Sequence, residues 1–143
     1  MAYQATVTWK DGIHFEGSSA GQSVHMDATP EVGGQGLGVG PMRLVLMALG
    51  GCTGMDVISL LKKMRQDVTS FEIALSAEQA EEHPKVYTGF ELVYRVRGRN
   101  IQRALVEKAV NLSQEKYCSV GGMLKKSGAI VTRIEIEEEK PQL

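Results

Sequence analysis

The sequence predicts an α+β fold, and three observations carry that prediction. Short runs alternating apolar with polar residues lie near both ends of the chain and in its middle. Two long stretches, residues 41–66 and 101–117, carry continuous apolarity or helical spacing instead. The strand-like runs come in groups rather than one between every pair of helices. That grouping favours antiparallel strands packed with two main helices over a doubly wound parallel sheet.

Taken in order, residues 3–9 alternate and are rich in β-formers, and Lys10-Asp11-Gly12 supplies turn chemistry. Residues 13–16 and 23–27 continue as short strands. Residues 29–40 hold glycines at 33, 34, 36, 38 and 40. No frame of that stretch matches a dinucleotide fingerprint, and it ends Gly40-Pro41-Met42 rather than in the Gly-Lys-Ser/Thr of a P-loop. The expectation is a flexible loop, not a phosphate cradle. Pro41 suits a first helical position, and the helix it opens ends among Lys62, Lys63 and Arg65, where cations favour a helix C-terminus. Its apolar residues run all the way round, so it is expected to be central and covered on most sides. Residues 70–78 read as a strand with Phe71, Ile73, Leu75 and Ala77 on one face. Residues 86–98 read as a longer one with Phe90, Leu92, Tyr94 and Val96 aligned. After the second helix, Cys118 leads into a short helical piece, and residues 129–137 close as a strand.

The chain has 143 residues, 43% of them hydrophobic and 23% charged, and is expected to be one domain over residues 1–143. A net charge of −1 lacks the basic excess of a nucleic-acid binder. Residues 44–61 are the one stretch long enough to consider as a membrane span, but Asp56 and the glycines interrupt them, so a buried core helix is expected. No basic start and apolar core marks a secretory signal. The expected location is therefore cytoplasmic, where cysteines stay reduced.

There are two cysteines, Cys52 and Cys118. A free cysteine is most often a small buried hydrophobe. Both thiols nevertheless sit beside paired glycines, Gly50-Gly51 before one and Gly121-Gly122 after the other. Two glycines inside a helix destabilise it by about 1 kcal/mol each relative to alanine. One reading is that the helix breaks there and restarts at Cys52, placing the thiol at a helix N-terminus that favours thiolate. Asp56, one turn on, reads as a carboxylate just after such a break. His14, His25 and His83 are scattered without metal-ligand spacing, so no metal site is expected. No Gly-x-Ser-x-Gly motif recommends a hydrolase. Arg43 lies nine residues before Cys52, about 13–14 Å along an unbroken helix and on its opposite face. It can approach its own Cys52 only across a break, or it serves a neighbouring chain. Lys10 reads as a solvated turn residue.

These residues resemble a known family. Pro41-Met42-Arg43-Leu44-Val45-Leu46-Met47-Ala48-Leu49-Gly50-Gly51-Cys52-Thr53-Gly54-Met55-Asp56-Val57 is similar to the first cysteine motif of the OsmC/Ohr proteins, the osmotically inducible and organic hydroperoxide resistance family. His83-Pro84-Lys85-Val86-Tyr87, leading into a long strand, is also similar to that family, and Tyr117-Cys118-Ser119-Val120-Gly121-Gly122-Met123-Leu124 resembles its second cysteine motif. The likeness spans almost the whole chain and is to the OsmC-like branch rather than to Ohr proper. It implies an intertwined homodimer with antiparallel sheets around two central helices. It also implies a thiol peroxidase acting on organic hydroperoxides: Cys52 the peroxidatic thiolate, Cys118 the resolving thiol, and a dithiol such as a lipoyl group the reductant, with no cofactor. Where the family uses an arginine held by a glutamate, this chain has Lys10 and Arg43. Lysine keeps the charge but loses the bidentate fork. The alternative implied by that swap is a non-enzymatic stress or small apolar ligand-binding protein. A dimer with inert cysteines is a third reading.

Overall fold

The computed structural model describes residues 2–140, and the chain divides into two compact units, Met1–Val45 and Leu46–Leu143.

The N-terminal unit is an antiparallel meander of β1 (Thr6–Asp11), β2 (His14–Ser19) and β3 (Gln22–Met26), in that order across the sheet. Its second turn is Ala20-Gly21, both with positive φ (50° and 77°), as a type I′ hairpin demands. Lys10, expected in a turn, is inside β1. The glycine-rich segment that follows is not a free loop. Asp27 is 4% exposed, and its carboxylate accepts from the amides of Ala28 (2.7 Å), Leu37 (3.1 Å) and Gln35 (3.2 Å). Met26 and Val39 form a parallel bridge, and Pro30–Val32 makes one 3₁₀ turn. A Cβ on Gly34 would lie 1.9 Å from the Ala28 carbonyl oxygen. Glycine here permits close approach to the Ala28 backbone, not mobility.

The helix α1 (Pro41–Lys63) begins in the first unit and runs on through the second. The second unit adds β4 (Asp67–Gln79), β5 (Tyr87–Arg99), α2 (Arg103–Leu112), a π-helical turn (Ser113–Tyr117), α3 (Ser119–Leu124) and β6 (Ala129–Glu138). The sheet order is β4-β5-β6; β4 runs antiparallel to β5, whereas β6 runs parallel to it. The expected all-antiparallel pattern is corrected here. The two helices after β5 carry the chain back to the strand's starting end, the crossover that a parallel neighbour requires.

The core of this unit joins Leu49, Val57 and Leu61 of α1 to Phe90, Leu92, Tyr94 and Val96 of β5 and to Val106, Ala109 and Val110 of α2, with Cys118 among them. By length and composition α1 would suffice to cross a membrane, yet it buries only a single i, i+4 stripe: Leu49, Thr53, Val57 and Leu61. The expectation that it is covered on most sides does not hold within one chain, because Met47 and Met55 are 56% and 73% exposed.

Candidate functional site: two thiols beside a buried hydroxyl chain

Helix α1 does not break at Gly50-Gly51; it is continuous past Cys52. The glycines answer to packing. A Cβ on Gly50 would lie 2.7 Å from Leu75 Cδ1, and one on Gly54 would meet Ile73 Cδ1 at 3.4 Å. The helix therefore lies close upon β4 along its glycine face, and the energy lost in helix propensity is offset by that contact. Beside this face runs an apolar groove of about 470 Å³, lined by Met47, Gly51, Met55 and Ile58 from α1 and by Phe71 and Ile73 from β4.

The thiol at a helix start is Cys118, not Cys52. Cys118 is the N-cap of α3, and its Sγ accepts from the Gly121 amide at 3.3 Å. Its own amide donates to the Ser113 carbonyl at 2.8 Å, closing the wide turn that precedes it. Gly121 is needed for space, since a Cβ there would sit 3.1 Å from Cys118 Sγ.

The structure brings the two cysteines together. Both are free, Cys118 is buried, Cys52 is half-buried, and Cys52 lies close enough to act on the titration of Cys118. Burial pushes the Cys118 thiol up from 9.0 to about 11. The Gly121 amide opposes that rise, while the proximity of Cys52 and the charge of Asp56 add to it. At neutral pH Cys118 keeps its proton.

Around the pair lies a polar cluster that the motifs do not announce. Thr53 follows Cys52, and its Oγ1 is 2.8 Å from Tyr94 OH and 2.7 Å from Ser113 Oγ. Ser113 Oγ donates to Asp56 Oδ2 at 2.9 Å, and Gln114 Nε2 donates to Tyr94 OH at 2.8 Å. Thr53, Tyr94 and Ser113 are fully buried. Burial pushes the Tyr94 phenol up, its bonds with Thr53 and Gln114 pull it back, and the charges of Cys118 and Asp56 raise it further. Asp56, expected near a helix start, is instead an interior helical residue held by Ser113 from a distant element.

The two expected cations stand differently. Lys10 Nζ is 3.9 Å from Glu16 Oε1, and Glu16 also meets His25 Nε2 at 3.2 Å. Arg43 is exposed on the first turn of α1 and makes no salt bridge among the described residues. With the helix unbroken, the nine-residue step from Arg43 to Cys52 keeps them two and a half turns apart, about 13–14 Å along the axis. Among the described residues no group of three or more metal-ligating side chains is poised for a cation.

Sequence comparison gives a match to the family model described as OsmC-like protein over residues 34–133. Protein YhfA of Escherichia coli K12 is 44% identical over 135 residues, covering 93% of this chain and 97% of its own. A hypothetical protein from Aquifex aeolicus superimposes with a TM-score of 0.86 at 31% identity, over 98% of this chain and 99% of the other. The organic hydroperoxide resistance protein OhrB of Bacillus subtilis shares the fold at a TM-score of 0.60 and 15% identity, over 94% and 98% of the respective chains.

Proposed function

The chain belongs to the OsmC/Ohr family, and on that premise we propose that it is a cysteine-based peroxidase that reduces organic hydroperoxides through Cys52 and Cys118. The observation that carries the reading is that two free thiols from distant parts of the chain lie near enough for Cys52 to act on Cys118. Cys52 as thiolate attacks the terminal peroxide oxygen. An S–O bond forms, the O–O bond breaks, and the departing alkoxide takes a proton to leave as the alcohol. Cys118 then displaces hydroxide from the Cys52 sulfenic acid to give the disulfide and water. An external dithiol, a lipoyl group being the expected kind, returns both sulfurs to thiols by two exchange steps and is itself oxidised. Cys118 suits the second position because burial keeps its thiol protonated, so it is not the attacking thiolate of the first step. The fold shared with a protein named for organic hydroperoxide resistance adds support.

The working unit in this proposal is a homodimer in the reducing cytoplasm. The uncovered apolar sides of α1, with Met47 and Met55 open, suit a second copy. Arg43 then serves the thiol of the neighbouring chain, and Lys10 supplies cationic support in competition with Glu16. The test is peroxide consumption with a dithiol reductant: wild type turns over tert-butyl hydroperoxide faster than hydrogen peroxide, and Cys52→Ser abolishes turnover. Full activity in Cys52→Ser would refute the assignment.

One observation favours a second reading. The apolar groove beside Gly51 has the size of a small-ligand site, and a protein that only binds an apolar ligand there would form no disulfide after peroxide.

A further inference from the structure

The four side chains nearest in function to the thiol pair take no part in the chemistry proposed above: Asp56 and Thr53 on α1, Tyr94 on β5 and Ser113 in the π-turn. Counting protons fixes how they are joined. An ionised carboxylate only accepts, so Ser113 donates to Asp56. Ser113 has no second proton, so Thr53 donates to Ser113. Thr53 is then an acceptor toward Tyr94, and the Tyr94 hydroxyl donates to it. Tyr94 in turn accepts from the Gln114 amide nitrogen. Three hydroxyl dipoles thus point the same way and end on one carboxylate. The count also fixes the Gln114 amide, leaving its buried Oε1 without a partner among the described residues.

The ends of this chain are what matter. Thr53 adjoins Cys52, and Asp56 lies one helical turn beyond it. Ser113 opens the turn whose last hydrogen bond is made by the Cys118 amide. The hydroxyl chain therefore ties the helix that bears one thiol to the turn that bears the other. All three hydroxyls are fully buried, so a bond lost within the chain is not replaced by water, although the Gln114 amide also reaches Thr53 Oγ1 at 3.4 Å.

We propose that Asp56, Ser113, Thr53 and Tyr94 are positioning residues for the resolving thiol, and that their hydrogen-bond chain sets how readily Cys118 reaches the sulfur of Cys52. The idea rests on the thiol-pair reading above. In the step concerned the Cys52 S–O bond breaks and the S–S bond forms, and the Cys118 proton leaves with the hydroxide as water. The organic hydroperoxide of the first step supplies the oxidising equivalents. Sulfur must approach in line with the breaking bond, and a misplacement of about 1 Å can cost on the order of 100-fold in rate.

The test compares Thr53→Val, which keeps shape but loses the hydroxyl, with Thr53→Ser, which keeps the hydroxyl. Purified full-length protein is equilibrated in glutathione redox buffers, and the effective concentration of Cys118 toward a glutathione mixed disulfide on Cys52 is measured by mass spectrometry. Thr53→Val is expected to lower it about tenfold or more, with Thr53→Ser within about threefold of wild type. Values for Thr53→Val within about twofold of wild type, or equal losses in both variants, would overturn the proposal. Tyr94→Phe, which leaves Thr53 bonded to Ser113, is expected to fall between the two, so the ranking remains readable even where valine lowers stability. This readout uses no peroxide. A wild type that shows a high effective concentration yet forms no sulfenic acid with tert-butyl hydroperoxide would sink the peroxidase reading and leave the positioning role standing.

Discussion

Two lines of hydrogen bonds in this molecule share one design and differ in their surroundings. In the N-terminal unit His14 Nε2 and His25 Nδ1 are 2.8 Å apart, His25 Nε2 is 3.2 Å from Glu16, and Lys10 flanks the same carboxylate. In the C-terminal unit Tyr94, Thr53 and Ser113 run to Asp56. Each line ends on a carboxylate. The first lies on an open strand surface, with the His25 and Lys10 side chains 47% and 43% exposed, and water can replace any of its members. The second is closed off from solvent at all three hydroxyls. The same kinds of bond therefore hold structure in one place and little in the other, because the cost of a broken bond is set by what can replace it.

The largest expected effect separates the two lines directly. Thr53→Val orphans both a buried donor and a buried acceptor and is expected to lower unfolding free energy by about 1–3 kcal/mol in urea titration. A loss as small as that of an exposed pair would erase the distinction.

Next, Gly121→Ala places a methyl group 3.1 Å from Cys118 Sγ. Overpacking of about 1–3 kcal/mol is opposed by about 1 kcal/mol of helix propensity, so a modest net destabilisation and a faster reaction of Cys118 with thiol reagents are expected.

The alkaline limb of stability follows. Cys118 is raised in the folded state, from 9.0 to about 11. Between those values the folded protein holds a proton that the unfolded chain has lost, so stability falls as pH rises through that window and Cys118→Ser removes this part of the fall. Asp56→Asn removes one of the charges that hold Cys118 up, and the thiol absorbance titration is expected to shift to lower pH. In the N-terminal unit Asp27 behaves oppositely. The Ala28 amide, with those of Leu37 and Gln35, holds its carboxyl below the usual range against the effect of burial. Its contribution is lost as pH falls through the lowered value, and Asp27→Asn flattens the acid limb.

The smallest effect belongs to the exposed line. Glu16→Gln is expected to change stability by less than about 1 kcal/mol, with added salt masking the difference.

Much of this was legible in the sequence, and the exceptions have physical reasons. Local alternation located the strands and the long apolar helix because those signals need no partner. The direction of β6 against β5 was not legible, since alternation is the same for parallel and antiparallel neighbours. Gly50 looked like a break because its reason, the approach of Leu75, lies 25 residues further on. The cysteine motifs pointed to the thiol pair through the family likeness, but not to the residues that hold it. A signal for those was present: Thr53 interrupts the stripe Leu49-Val57-Leu61, Tyr94 interrupts Phe90-Leu92-Val96, and Ser113 follows Ala109-Val110. Three hydroxyls at core positions on three elements must find one another or remain unpaired.

The two thiols are predicted to act as one redox pair. Wild-type protein treated with one equivalent of tert-butyl hydroperoxide and digested under non-reducing conditions is predicted to yield a peptide pair joined through Cys52 and Cys118. Treatment with a dithiol should return both to free thiols. Recovery of Cys52 and Cys118 as separate reduced peptides after complete peroxide consumption would contradict it.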